Sequence, residues 1–223
     1  ITYTFFGGLG LGIDLHVRCF GALPPLPRLG LTMTLPAGFE NFTWLGRGPE
    51  ESYRDRKAGT PLGLYRSTVR DQFVPYVMPQ EHGNKTDVRW AAFSNAGGMG
   101  LLVMGEPLME VSASHFSADD LYQAMHTNEL VARPEAILNL DVAQCGLGGN
   151  SCGPVTLDKY LVWPGAFHLN LLLRPFGPND SLTRLGREWI GPRAFRRQSA
   201  PRYQYCVRQK VGPAGRGQRY PPG

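Results

Sequence analysis

Glycine and proline cut this chain into short pieces. Of its 223 residues, 28 are Gly and 19 are Pro, together about a fifth, against the roughly 12% usual in globular proteins. The apolar runs left between these breaks are too short for ordinary helices but suit strands. Candidate strands cover residues 1–6, 11–20, 29–35, 42–45, 73–78, 87–94, 100–104, 110–116, 136–142 and 160–173. In Asp87-Val88-Arg89-Trp90-Ala91-Ala92-Phe93 apolar side chains recur at alternate positions, the pattern of a half-buried strand. Strand signals about every ten residues argue for an all-β sandwich or barrel rather than βαβ units. One helix start is legible: Ser117, followed three residues later by Asp120, offers a capping box ahead of 121–126, a short cap over one end of a sheet.

Charge divides the chain. The formal net charge is +5, yet residues 1–176 hold 13 basic and 16 acidic side chains, while residues 177–223 hold 10 basic and 2 acidic. The latter stretch also contains 13 Gly or Pro and no sustained periodicity. One folded domain is therefore expected over 1–176, followed by a basic, poorly ordered tail over 177–223. In that tail Arg184, Arg187, Arg193, Arg196, Arg197 and Arg202 are interleaved with Trp189, Phe195, Tyr203 and Tyr205, residue types that can hold single-stranded nucleic acid. An unselected extension explains the same composition, so nucleic acid is not an expected partner.

No run approaches the roughly 18 apolar residues of a membrane-spanning helix, and the start at Ile1, with no Met and no basic leading segment, reads as a cut or processed end. Cys19, Cys145, Cys152 and Cys206 form neither a disulfide framework nor a metal motif, which fits a reducing, cytoplasmic location. His16, His115, His126 and His168 show no ligand spacing, so no metal is expected in this chain. The N-x-S/T sequons at Asn41, Asn84 and Asn179 occur at about chance frequency. Trp44, Trp90 and Trp163 lie in or beside strands and are read as core.

Three segments each carry a strand into a glycine-bearing loop, where all-β folds place binding side chains. The first runs Trp44-Leu45-Gly46-Arg47-Gly48-Pro49-Glu50-Glu51-Ser52-Tyr53-Arg54-Asp55-Arg56. The second is Val74-Pro75-Tyr76-Val77-Met78-Pro79-Gln80-Glu81-His82-Gly83-Asn84, and the third is Leu138-Asn139-Leu140-Asp141 leading to Cys145-Gly146-Leu147-Gly148-Gly149-Asn150-Ser151-Cys152-Gly153-Pro154. The Arg54-Asp55-Arg56 run is read as fixing its own loop by charge-assisted hydrogen bonds. Glu81 beside His82 is the acid–imidazole neighbour of the second loop, and its expected work is to brace strand ends through backbone N–H groups.

In this order and spacing the three segments resemble the C-terminal small-chain domain of the large β-galactosidases of glycoside hydrolase family 2, over residues 1–176. The resemblance implies an antiparallel β-supersandwich of the galactose-mutarotase-like kind, entered here partway through and so lacking its first strands. Family members are retaining glycosidases, with acid and nucleophile both on a barrel that precedes this domain. By resemblance, this chain has no catalytic residue and no cofactor of its own. Mg and Na are implied for the barrel, and a galactoside such as lactose, the barrel-containing remainder and a homo-oligomer of the whole enzyme are the implied partners. Asn150, Ser151 and Cys152 fall on a loop that forms a wall of the active site, with Glu81 and His82 as further substrate-side candidates. In well-known bacterial relatives that loop is one residue longer and presents a tryptophan as a sugar platform; here Cys152 stands instead, implying a roomier or differently gripped aglycone site. The reading from another class is a stand-alone carbohydrate-binding or mutarotase-like module, which needs an exposed aromatic platform or an acid–base pair.

Overall fold

The computed structural model describes residues 1–149 and 153–188. Among these, nine strands form one antiparallel sheet: β1 (Thr2–Phe6), β2 (Gly10–Arg18), β3 (Arg28–Leu35), β4 (Asn41–Arg47), β5 (Leu62–Thr68), β6 (Lys85–Ser94), β7 (Gly100–Ser114), β8 (Ala136–Gln144) and β9 (Ala166–Phe176). The strand order is β1-β2-β9-β7-β6-β4-β5, with β8 joined to β7 and β3 to β8. Two short α-helices, α1 (Ala118–Gln123) and α2 (Leu182–Arg187), and three single-turn 3-10 helices complete the described fold.

The sheet closes over its core because β7 changes partners along its length. Residues from Gly100 to Glu106 pair with β9, and residues from Glu110 to Ser114 pair with β8. Pro107, which has no N–H to donate, falls between the two ladders. The sequence therefore reads as two strands, 100–104 and 110–116, where the chain forms one. From the shared strand the β9–β2 and β8–β3 arms wrap one apolar cluster that takes Phe42 and Trp44 from β4, Leu138 and Leu140 from β8, and Leu169 and Leu171 from β9. The all-β antiparallel architecture is as expected, and one body encloses a sandwich-type core.

A second apolar cluster lies on the other face of β9, β7 and β6, where Trp90, Leu102, Met104, Leu172 and Phe176 meet Leu185 of α2. Leu185 is 1% exposed, and a Cβ at Gly186 would come within 2.6 Å of the Trp90 ring. Ser181 caps α2 by accepting from the Arg184 N–H, and Arg174 of β9 donates to Glu188 at 2.7 Å. The opening of the segment expected to be a poorly ordered tail is thus packed, because a leucine at the right offset completes a cluster that the sheet leaves open. Trp189, Arg193, Arg196, Arg197, Arg202 and the rest of the tail lie outside the described residues.

Helix α1 starts as the capping box implies, with the Asp120 N–H donating to the Ser117 hydroxyl at 3.1 Å and the Ser117 N–H donating to the Asp120 carboxylate at 2.8 Å. Two further strand expectations fail, and one strand goes unread. The stretch 73–78 is a loop, since Pro75 cannot donate and the Val77 side chain is 92% exposed. The final strand begins at Ala166, not at 160, after a turn that contains Pro164 and Gly165. β5 has no counterpart among the expected strands; it is the edge strand beside β4, and its weak pattern leaves Leu62 and Leu64 half exposed.

Candidate functional site

The three motif loops converge around Glu110, at the start of the part of β7 that pairs with β8. The first loop docks on the second through Ser52: its N–H donates to Asn84 O at 2.7 Å, Asn84 Nδ2 donates back to Ser52 O at 3.0 Å, and its hydroxyl accepts the Thr86 N–H at 2.9 Å. Glu51 binds the Gly83 N–H at 2.7 Å and also takes hydrogen bonds from Arg56 and the Tyr76 hydroxyl. Lys85 donates to Pro49 O at 2.9 Å while lying 5.0 Å from the Trp44 ring centroid. Burial lowers the Lys85 ammonium to about 8, against the raising influence of Glu51 and Glu50.

Glu110 accepts from Asn84 Nδ2 at 2.8 Å, lies 3.8 Å from Arg54 Nε and is the register partner of Asp141. Burial drives its carboxyl up to about 7, a shift that the Asn84 and Gln144 hydrogen bonds and Arg54 oppose. Asp141, 2% exposed, is likewise raised by burial despite the attraction of Arg28, whose guanidinium donates to it at 2.5 Å and to Glu81 at 2.9 Å. Gly30 lies opposite Asp141 in the ladder, where any Cβ would run into the Asp141 carboxylate.

The third loop is tethered to the first through Asp55. Its carboxylate accepts the N–H groups of Leu147 at 3.3 Å and Gly148 at 2.7 Å. A Cβ at Gly146 or Gly148 would come within 2.6 or 2.8 Å of that carboxylate, so both glycines are required by the close approach. Arg54 and Arg56 also reach beyond their own loop, to Leu161 O at 3.3 Å and to the Tyr76 hydroxyl at 3.1 Å. The Arg-Asp-Arg run therefore braces between loops as well as fixing its own, where Arg56 also pairs with Glu51.

Glu81 pairs with Arg28, and Glu51 holds the loop's backbone N–H. His82 is 3% exposed, with Nδ1 at 2.9 Å from Gln80 O, Nε2 at 3.3 Å from the Ser114 hydroxyl, and its ring edge-on to Phe73. Asn150, Ser151 and Cys152 lie outside the described residues. Trp44 and Trp90 are buried as expected, but Trp163 is 50% exposed, because it sits in the turn before β9 and not in a strand. Asn84 is fully buried, which excludes its sequon from glycosylation in the folded chain.

Two constellations escaped the sequence reading. A cavity of about 570 Å³ is walled by Val69, Phe73, Phe116 and Pro134 and holds Glu40 and His115, whose Nε2 lies 2.8 Å from the Glu40 carboxylate. His16 and His168, expected to stand apart, are register partners on β2 and β9 and stack at 4.2 Å. No local signal joins either pair: His16 and His168 lie on different strands, and Glu40 and His115 lie in connecting segments 75 positions apart.

Fold and loops together define an antiparallel β-sandwich domain whose motif segments brace a glycine-rich loop. Residues 1–173 match the family described as β-galactosidase small chain, and the chain belongs to that family. It is 38% identical to a β-galactosidase of Priestia megaterium over 150 residues, covering 67% of this chain and 14% of that protein. A Vibrio cholerae β-galactosidase is 38% identical over 173 residues, 77% of this chain and 16% of that protein, and one from Kluyveromyces lactis is 37% identical over 161 residues, 71% and 15%. The chain thus spans about a sixth of the length of the curated relatives it matches.

Proposed function

We propose that the chain acts as the C-terminal part of a β-galactosidase, which hydrolyses terminal β-D-galactosides such as lactose with retention. Its contribution is a wall of the active site and contacts within the assembly, while acid and nucleophile stand on a barrel outside this chain. The observation that carries this reading is the Asp55 tether: two charge-assisted hydrogen bonds hold the start of the loop that runs on through Asn150, Ser151 and Cys152. Each buried carboxylate of the motif loops has a cation or amide partner, as a brace requires. Cys152 in place of an aromatic platform leaves a wider aglycone site. The Mg and Na of the family are assigned to the barrel, and the location is cytoplasmic. Among the described residues no helix is long and apolar enough to cross a membrane.

The test is complementation. The 223-residue chain is assayed on nitrophenyl galactoside alone and after mixing with a Priestia megaterium β-galactosidase truncated before its matching segment. Activity on mixing only is expected; hydrolysis by the chain alone would overturn the division of labour. In the reconstituted enzyme, Cys152→Trp is expected to shift the ratio of lactose to nitrophenyl galactoside turnover, and an unchanged ratio would remove the loop from the aglycone site.

The second reading, a stand-alone mutarotase-like or carbohydrate-binding module, draws support from the Glu40–His115 pair in its cavity, an acid and an imidazole in hydrogen-bond contact. Faster interconversion of galactose anomers with the isolated chain, lost in His115→Ala, would favour it.

A further inference from the structure

Asp14 and His16 on β2 and His168 on β9 share the outer face of the sheet. On β2 the alternate residues Ile13 and Leu15 enter the main core, so Asp14 and His16 point the other way. The ladder sets His16 directly opposite His168, and antiparallel partners project from the same face. The two Nε2 atoms approach one oxygen of Asp14, at 2.9 Å from His16 and 3.0 Å from His168. The three ligand atoms lie within 4.8 Å of one another. A metal bound at about 2.0–2.2 Å to two imidazole nitrogens and a carboxylate oxygen holds its ligand atoms at about 3–3.5 Å separations, so small rotations suffice to admit one. The imidazoles also line a shallow cavity of about 150 Å³, which leaves room for water in the remaining coordination positions.

We propose that Asp14, His16 and His168 form a binding site for a divalent transition metal of the zinc class. Two neutral imidazoles and one carboxylate favour zinc, cobalt, nickel or copper over magnesium or calcium, which prefer all-oxygen shells. The metal takes over the carboxylate's interactions with both rings and clamps β2 to β9, joining residues 154 positions apart. It is separate from the barrel chemistry of the proposed function and does not depend on it.

The test uses the full chain, dialysed against chelator and titrated calorimetrically with zinc, in parallel with His16→Ala and His168→Ala. All three side chains are at least one-third exposed, so these variants retain the apolar cores, which circular dichroism checks. One zinc per chain is expected, with affinity reduced at least about tenfold in either variant. Zinc raises the melting temperature of the parent and not of the variants. Cobalt substitution is expected to give d–d absorption without thiolate-to-metal charge transfer, which separates this site from the four cysteines. Absence of zinc binding, equal affinity in parent and variants, or a thiolate spectrum would each overturn the proposal.

Discussion

Asp55 accepts the backbone N–H of Gly148 at 2.7 Å, joining residues 93 positions apart. With the Leu147 N–H on the same carboxylate, the loop after β8 is positioned by the loop after β4. Asp55→Ala is expected to remove two charge-assisted hydrogen bonds and lower stability by about 1.5–3 kcal/mol. Hydrogen exchange should show the Leu147 and Gly148 amides losing protection before the sheet does. In the complemented enzyme the variant should raise KM more than it lowers kcat; unchanged exchange at both amides would contradict the tether.

Arg28 is the counter-ion of a carboxylate with almost no solvent contact. Arg28→Met leaves Asp141 charged and buried, and a loss of about 3–5 kcal/mol in urea unfolding is expected. Adding Asp141→Asn should recover much of that loss, because the amide needs no counter-ion; a double variant no more stable than the single one would show the arginine acting through packing alone.

Glu110 sets a pH dependence of known sign. Its carboxyl is raised from 4.5 to about 7, mainly by burial, so between these values the folded chain binds more protons than the unfolded one. Stability contributed by this group is full below about pH 4.5 and is lost as the pH rises through about 7. The shift corresponds to an upper figure of about 3 kcal/mol. Glu110→Gln, which keeps an acceptor for Asn84, should therefore gain stability relative to the parent between pH 5 and pH 8. Parallel stability curves for the two proteins would refute the assignment.

Leu185 closes the second apolar cluster from outside the region matched by the family. Leu185→Ala is expected to cost about 2–4 kcal/mol and to increase quenching of Trp90 fluorescence by iodide. A variant as stable as the parent would mean that α2 contributes no packing energy.

Much of the architecture was legible because it is local. Strand alternation around Trp90, the Ser117–Asp120 capping box and the glycines of the third motif each depend on residues a few positions apart. The failures have equally physical causes. A proline reads as a break, yet β7 carries Pro107 through the gap between two ladders, and the apolar stretch 73–78 carries strand-forming residues while its Pro75 has no N–H to pair. Glu81 and His82 were legible as a motif, but their partners Arg28 and Ser114 were not, since each lies on another strand.

By itself the sequence determined that the chain is all-β, that its three motif segments run into glycine-bearing loops, and which family those motifs belong to, since periodicity, turn residues and motif spacing are written along the chain. Only the tertiary structure decided that Asp55 holds Gly148, that Glu110 loses its solvent, that Leu185 belongs to a core, and that His16 meets His168 over Asp14. The reason is that strand register and desolvation are properties of surfaces brought together from distant parts of the chain, and no local pattern encodes which surface each residue will face.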